Sequence, residues 1–463
     1  MRQQRNMRVR KSALFFLIFC LLVVFFAPHS YSSDPIPDPF TSDIAASEAT
    51  KRFGNQSAAH FLRTFYDLQG APAVHLFLVT KDQESIPENM EESLEEGRKL
   101  LEQGESLIQQ GQTEEGERLI ANSRTLLLQE DRYGTMLVSA GHERPCLVAF
   151  HHGLPTYLIA KTEAKQRAQA FSNGKNVTPL GVIYLSPLEY YFEFGIEGQK
   201  ILVSPFYSKI LSRADLEKIP ASPDLSVSEE QDKDPSDRIQ RNPYGLQEED
   251  YTGADLPGQS PDSQIIPDVP DYNQRPSLPN SCAPTAGACV LGYWDAQGYE
   301  DFLLGAESYG DVTCLIEELC GAMGWDPSFG VYYSQVPIGL RHIIDARGYE
   351  MDISNLYGID SLEIVRQEII EGRPFIYGSQ ENPWECGHYV VVVGYQGSFI
   401  IVHDNWWSTP TDYFVNWDAL GHHNDMMSTL IPQGQPDPPS EPLPSDIGGS
   451  GGGCFISTLT PEN

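Results

Sequence analysis

The sequence is short of positive charge. Its 31 Lys and Arg stand against 64 Asp and Glu, a formal net charge of −33 over 463 residues. That balance excludes a nucleic-acid partner, because phosphate binding needs clustered Lys and Arg. It also disfavours an anionic lipid surface. It points to a soluble protein outside the cell, with a mild preference for basic partners.

Cysteine is scarce as well. Of eight, Cys20 falls in an apolar run near the start, which leaves Cys146, Cys282, Cys289, Cys314, Cys320, Cys386 and Cys454. So few in so long a chain exclude a disulfide scaffold. An exported protein can still form one or two bridges, and their connectivity is not readable from spacing. Cys386 is a candidate partner for Cys314 or Cys320, or a redox-sensitive thiol near the site.

Long apolar runs are missing but for one, Ala13–Ala27, which follows the basic segment MRQQRNMRVRKS. Its 15 residues suit the core of a signal peptide and are short for a spanning helix. Small residues at Ser30, Ser32 and Ser33 predict cleavage there, so residues 1–32 are read as a signal peptide. An uncleaved N-terminal anchor is the alternative. The mature protein is expected to be secreted or held in the cell envelope, with no stable membrane association. A metal-ligand pattern is lacking too. The adjacent His151 and His152 would point to opposite faces of a strand, and no metal or cofactor is expected.

What is present divides into parts. Residues 33–48 read as polar and poorly ordered. Residues 45–216 read as an α+β domain with no pattern of nucleophile and base. Its expected elements are a helix at Ala58–Leu68 and strands at Ala73–Thr80, Thr135–Ala140, Pro145–Phe150 and Pro155–Lys161. A helix at Glu163–Phe171 follows, then strands at Gly181–Ser186, Tyr190–Gly195 and Lys200–Pro205. Between Glu88 and Asp131 a charged helical hairpin is inserted, broken at Gly111. It is either a protruding contact arm or an insertion packed by one face. Residues 217–265 are acidic and rich in Pro, Ser and Gly, as a linker or a processing site would be. Residues 433–463 form a low-complexity tail ending in GGSGGGCFIST around Cys454, where modification is conceivable.

The remaining part, residues 266–432, carries the chemistry. The stretch VPDYNQRPSLPNSCAPTAGACVLGYW reads as a Pro-rich loop leading into a helix whose first turn holds Cys282. The helix dipole and free N–H groups there favour a thiolate, the nucleophilic form. Helices are expected at Val312–Met323, Pro337–Arg347 and Leu362–Glu371, then strands at Arg373–Ser379, His388–Gln396 and Phe399–Asp404. Adjoining antiparallel strands joined by the YQGS turn would bring His388 and Asp404 to one end of a sheet. That order suits a Cys–His–Asp triad, in which the imidazole takes the thiol proton and the carboxylate orients the imidazole. Gln274 could donate to the oxyanion together with the Cys282 N–H. Each residue alone has a plain structural reading, as a buried thiol, a strand-end hydrogen-bonder or a turn residue.

The three segments, VPDYNQ…NSCAPTAGACVLGYW, GHYVVVVGY and VHDNWW, resemble the cysteine peptidases related to the double-glycine leader peptidases of bacteriocin exporters. The resemblance covers about Val269–Ile431. It implies a papain-like α+β fold, and a catalytic set of Cys282 as nucleophile, His388 as base, Asp404 as orienter and Gln274 as oxyanion donor. Asn405 is a second candidate orienter. Ala283 departs from the Gly of many relatives without blocking the backbone N–H. The implied activity is hydrolysis of a peptide or protein substrate. Amide hydrolysis or acyl transfer on a cell-wall or other substrate, and an inactive peptide-binding module, stay open. The N-terminal part is expected to be a propeptide or an accessory substrate-binding domain.

Overall fold

The computed structural model describes residues 36–82, 90–141, 146–205, 210–212, 262–275, 277–303, 309–359, 361–379, 388–420, 422 and 425–433. Residues 1–32, read as a signal peptide, residues 217–261 of the expected linker, residues 434–463 of the expected tail, and Cys386 and Cys454 lie outside them.

The chain opens with α1 (Pro39–Phe53), β1 (Ala58–Tyr66) and β2 (Pro72–Thr80). Then come the hairpin helices α2 (Met90–Gln109) and α3 (Thr113–Leu128), β3 (Tyr133–Ser139), β4 (Leu147–His152) and α4 (Thr156–Phe171). Strands β5 (Val177–Ser186), β6 (Glu189–Ile196), β7 (Gln199–Val203) and β8 (Ile210–Ser212) complete the first part. The second part has β9 (Ser263–Ile265), α5 (Cys282–Ala296), α6 (Tyr309–Ala322), α7 (Gln335–Ala346), β10 (Met351–Tyr357) and α8 (Leu362–Ile370). It ends with β11 (Phe375–Ser379), β12 (His388–Gln396), β13 (Phe399–His403), β14 (Tyr413–Asn416) and β15 (Met426–Pro432). This is a mixed α+β protein.

Three local expectations are corrected. The segment at Ala58–Leu68 is not a helix but β1, because it pairs antiparallel with β2 through a bulge at Phe61/Arg63. Cross-strand packing overrides its helix-like spacing. Pro155–Lys161 is not a strand but the start of α4. Pro155 is the N-cap residue, and Ile159, Ala160, Ala164 and Ala168 form its buried stripe. Residues 39–53 are helical rather than disordered. Asp38 caps that helix by accepting from the Thr41 N–H at 2.7 Å, and Pro39 takes its first position.

All the described strands form one sheet, in the order β10-β15-β11-β12-β13-β14-β4-β3-β2-β1-β5-β6-β7-β8, with β9 added on β12. The two parts of the chain meet where β14 pairs with β4, Tyr413 opposite His151 and Val415 opposite Ala149. At this seam Phe150 stacks on Phe414 at 4.4 Å. Strand β12 is central. Its HYVVVVGY run is buried throughout, since helices cover one face and the neighbouring core the other.

Helix α5 packs on β12 and β11 and is itself buried nearly all round. Small residues allow this. A Cβ at Gly292 would come within 2.9 Å of the Tyr272 hydroxyl, and one at Gly287 within 3.2 Å of Met323. Pro284 is tolerated because it lies in the first turn, where no intrahelical N–H bond is lost. Among the described residues no helix is long and apolar enough to cross a membrane.

Candidate active site

The four residues singled out by sequence are all buried in the second part: Cys282, His388, Gln274 and Asp404. Cys282 opens α5 and His388 opens β12, the strand on which α5 packs. The β12–β13 hairpin pairs Gln396 with Phe399 at its turn and Val391 with His403 near its open end. His388 and Asp404 therefore meet at that end, and the His388 ring bonds the main chain of Asp404. The distance from Nε2 to the Asp404 carbonyl oxygen is 2.7 Å.

That contact differs from the expected one. The acceptor for His388 is the carbonyl of Asp404, not its carboxylate. The carboxylate instead closes a turn: Oδ1 accepts from the Trp406 N–H at 3.0 Å and from the Thr409 hydroxyl. This is an Asx-type turn, a common use of Asp at a strand end. Asn405, at φ 63°, bends the chain so that the two groups of Asp404 diverge. Its own side chain is also committed elsewhere. Nδ2 donates to the Tyr389 carbonyl at 2.9 Å, and Oδ1 accepts from the Cys289 thiol at 3.6 Å.

A carbonyl can only accept, so the His388 proton is on Nε2 and the lone pair is on Nδ1. Trp406 stacks on the imidazole at 5.2 Å and 16° between planes. Gln274 is tied to the same turn by its N–H, which donates to the Asn405 carbonyl at 3.0 Å. Its side-chain Nε2 is buried with no hydrogen-bond partner. An orphaned buried donor is costly to keep, about 1–3 kcal/mol.

Four thiols are described. Cys146 is exposed, while Cys282, Cys289 and Cys320 are buried. Burial, with Asp271 close by, pushes Cys289 well above the usual thiol range. Burial likewise pushes Cys320 to about 12, with Glu317 and Cys282 adding to the effect. Both therefore stay protonated and inert. Cys314 is disulfide-bonded. Cys282 is the thiol at a helix N-terminus, where the free N–H groups point.

Burial also sets the charge of the other partners. It lowers the His388 imidazole to about 4, against the pull of the Asp404 carbonyl. It raises the Asp404 carboxyl to about 7; the Thr409 and Trp406 bonds oppose this, Asp271 adds to it and Arg124 opposes it. The resting imidazole is neutral and able to accept a proton.

Sequence reasoning missed Thr409, Trp406 as a stacking partner, Asp271 and Arg124. Trp406 and Thr409 had a signal, the Asp-x-Trp…Thr spacing of an Asp-capped turn. Arg124 had none, since it lies on α3 in the other part of the chain.

The helix-borne thiol, the strand-end imidazole and the buried amide donor all lie in the second part of the chain, the imidazole and the Gln274 backbone both tied to the 404–405 turn. Residues 266–424 match the model of the Peptidase_C39 like family, and this part of the chain is similar to the peptidases of that family. No curated protein matches the chain. Among solved structures, a fragment of prointerpain A from Prevotella intermedia is similar over 64% of this chain and 92% of its own, at 13% identity and a TM-score of 0.33. The active interpain A cysteine protease of the same organism covers 38% of this chain and 97% of its own, at 15% identity and a TM-score of 0.28. A C39-like peptidase from Bacillus anthracis covers 37% and 99%, at 14% identity and a TM-score of 0.27.

Proposed function

We propose that the chain is an exported cysteine peptidase that hydrolyses peptide bonds in a peptide or protein substrate through a thioester acyl-enzyme. Cys282 is the nucleophile and His388 the general base and acid. The observation that carries this reading is the bond from His388 Nε2 to the Asp404 carbonyl, which leaves the basic lone pair on Nδ1.

The steps follow from that tautomer. Nδ1 takes the thiol proton as Sγ attacks the scissile carbonyl carbon and the C–S bond forms. The oxyanion is met by the Cys282 N–H and the Gln274 amide. The imidazolium, stacked on Trp406, is stabilised by the ring face and by its Nε2–H bond. Its Nδ1 proton passes to the leaving nitrogen as the C–N bond breaks, giving the thioester. Water then gives a proton to Nδ1 and attacks the acyl carbon. The C–S bond breaks and the thiol regains its proton. Asp404 is a positioning residue whose carboxylate shapes the turn and whose carbonyl holds the ring.

Export rests on the basic segment and the 15-residue apolar run at the N-terminus. Residues 45–216 act as an accessory part of the enzyme. The test is hydrolysis of unfolded casein by the full chain and by Cys282→Ala and His388→Ala variants. Both variants are expected to lose turnover with an unchanged circular dichroism spectrum. Retained turnover in either would overturn the assignment.

A further inference from the structure

The turn that holds His388 is gripped from the other part of the chain. Arg124, on the second hairpin helix α3, uses Nη2 to donate to Asp271 Oδ2 and to the Thr409 carbonyl, each at 3.4 Å. The next carbonyl along, Ser408, accepts from the Thr156 hydroxyl of α4 at 3.3 Å. A Cβ at Gly153 would lie 3.3 Å from Pro410. The outer backbone of the 404–410 turn is therefore fixed by side chains and packing that no part of residues 266–432 supplies.

Each acceptor of Arg124 is one step from a site residue. Thr409 bonds the Asp404 carboxylate and the Trp406 carbonyl, and Asp404 bonds His388. Asp271 lies three residues before Gln274. Between them Tyr272 donates its N–H to Cys289 Sγ at 3.3 Å, and Gln274 is tied to the Asn405 carbonyl. One guanidinium thus joins the loop of the oxyanion donor to the turn of the base.

We propose that Arg124 is a positioning residue of the peptidase site: it clips the 271–274 loop to the 404–409 turn, so the N-terminal part completes the active enzyme. This rests on the roles given above to His388 and Gln274. It makes the hairpin neither a solvated insertion nor a segment to be discarded.

Charge supports the geometry. Burial raises both Asp271 and Asp404, Asp271 raises Asp404 further, and Arg124 is a cation that opposes both shifts. Asp271 is also faced by His403, which is paired with Asp412, and by the Cys289 thiol. Asp404 is also faced by Tyr190 and Tyr413, and its carbonyl by His388. Without the guanidinium, Asp404 would ionise at higher pH. The imidazolium formed during turnover would lose a nearby negative charge until that pH is reached.

The experiment uses the full chain with Arg124→Ala, Arg124→Gln and Arg124→Lys, reading kcat, KM and the acid limb of the pH–rate profile. Ala and Gln are expected to lower kcat about tenfold or more with KM nearly unchanged, since misplacing reacting groups by about 1 Å costs up to about 100-fold. Both should move the acid limb to higher pH by about one unit. Lys, which keeps the charge without bridging both acceptors, should hold the acid limb while recovering kcat only in part. A purely structural role would lower the melting temperature and leave the acid limb in place. If Ala fails to fold, the longer, polar Gln decides. Wild-type kcat and an unmoved acid limb in either folded variant would overturn the inference. Were His388→Ala also to keep turnover, the site assignment itself would fall; if only Arg124 proves silent, this inference alone does.

Discussion

Two histidines in the second part of the chain lie beside an aspartate, and they do so in opposite ways. His422 bonds the Asp425 carboxylate directly, Nδ1 to Oδ2 at 2.8 Å, and its Nε2 contacts the Trp417 carbonyl at 2.7 Å. Tyr377 bonds the same carboxylate, and the Gly358 N–H reaches the Asp425 carbonyl at 2.9 Å. His388 instead touches only the main chain of its aspartate, whose carboxylate faces Thr409 and Trp406. By the pairing of imidazole and carboxylate, His422–Asp425 looks more like a catalytic dyad. Yet both of its ring nitrogens are tied, and no described thiol opens a helix beside it. It braces β11, β15 and the loop before β15. A base needs one nitrogen fixed and the other carrying its lone pair toward a nucleophile. The carbonyl bond at His388 fixes Nε2 without a carboxylate and leaves the lone pair on Nδ1.

Exchanging the two sites by mutation should separate chemistry from bracing. The largest effect is expected at the base: His388→Ala should lower kcat/KM by 1000-fold or more, roughly to what binding and the oxyanion hole alone provide. His422→Ala should stay within about threefold, as a structural bond would. Gln274→Ala comes next, with a loss of about 100- to 1000-fold in kcat. Steady-state kinetics on casein or a derived peptide reads all three.

Asp404→Asn sharpens the contrast further. Where a carboxylate bonds the imidazole directly, Asp→Asn costs about 10⁴-fold by imposing the wrong tautomer. Here the carbonyl sets the tautomer, and Asn Oδ1 can still accept from Trp406 and Thr409. The expected loss is under about tenfold, and a loss near 10⁴ would restore the carboxylate as orienter.

Stability against pH distinguishes the same groups. His388 is lowered to about 4 from its ordinary 6.5, so the unfolded chain binds its proton first. Its contribution is full above pH 6.5 and is lost as pH falls toward 4. Asp404 is raised to about 7 from 3.8, so its contribution is full below 3.8 and is lost as pH rises toward 7. In thermal melts, the gap between wild type and His388→Gln should shrink on acidification from pH 7 to 4. Relative to wild type, Asp404→Asn should gain between pH 4 and 7. The smallest effect on turnover is expected from Asp425→Asn. It should cost about 1–3 kcal/mol of stability, through one weakened buried network, with kcat nearly unchanged.

Much of the proposed site is legible because its signals are local. A Pro-rich loop before small residues marks the Cys282 helix, and a valine run bounded by His388 and a short turn marks β12. Asp404 was legible as a residue at the right place but not as the atom that acts, because the direction of a carboxylate depends on a turn closed by Thr409 five residues later. The N-terminal part was read less well. Ala58–Leu68 has apolar residues at spacings that fit either helix or strand, and pairing with β2 decides it. The seam between β4 and β14 joins residues some 260 positions apart, such as His151 and Tyr413, and neither strand carries a local mark of the other. Arg124 depends on that seam, which is why nothing near it in sequence announces its role.

The central claim is that Cys282 is an activated thiol served by His388. Iodoacetamide labelling of the full chain at pH 6, followed by peptide mass spectrometry and residual activity, tests it most directly. Cys146, exposed on the surface, supplies an ordinary thiol in the same molecule. The predicted result is that Cys282 is alkylated faster than Cys146, that activity falls in step with its labelling, and that His388→Ala removes the preference. Alkylation of Cys146 ahead of Cys282, or full activity with Cys282 modified, would contradict the account.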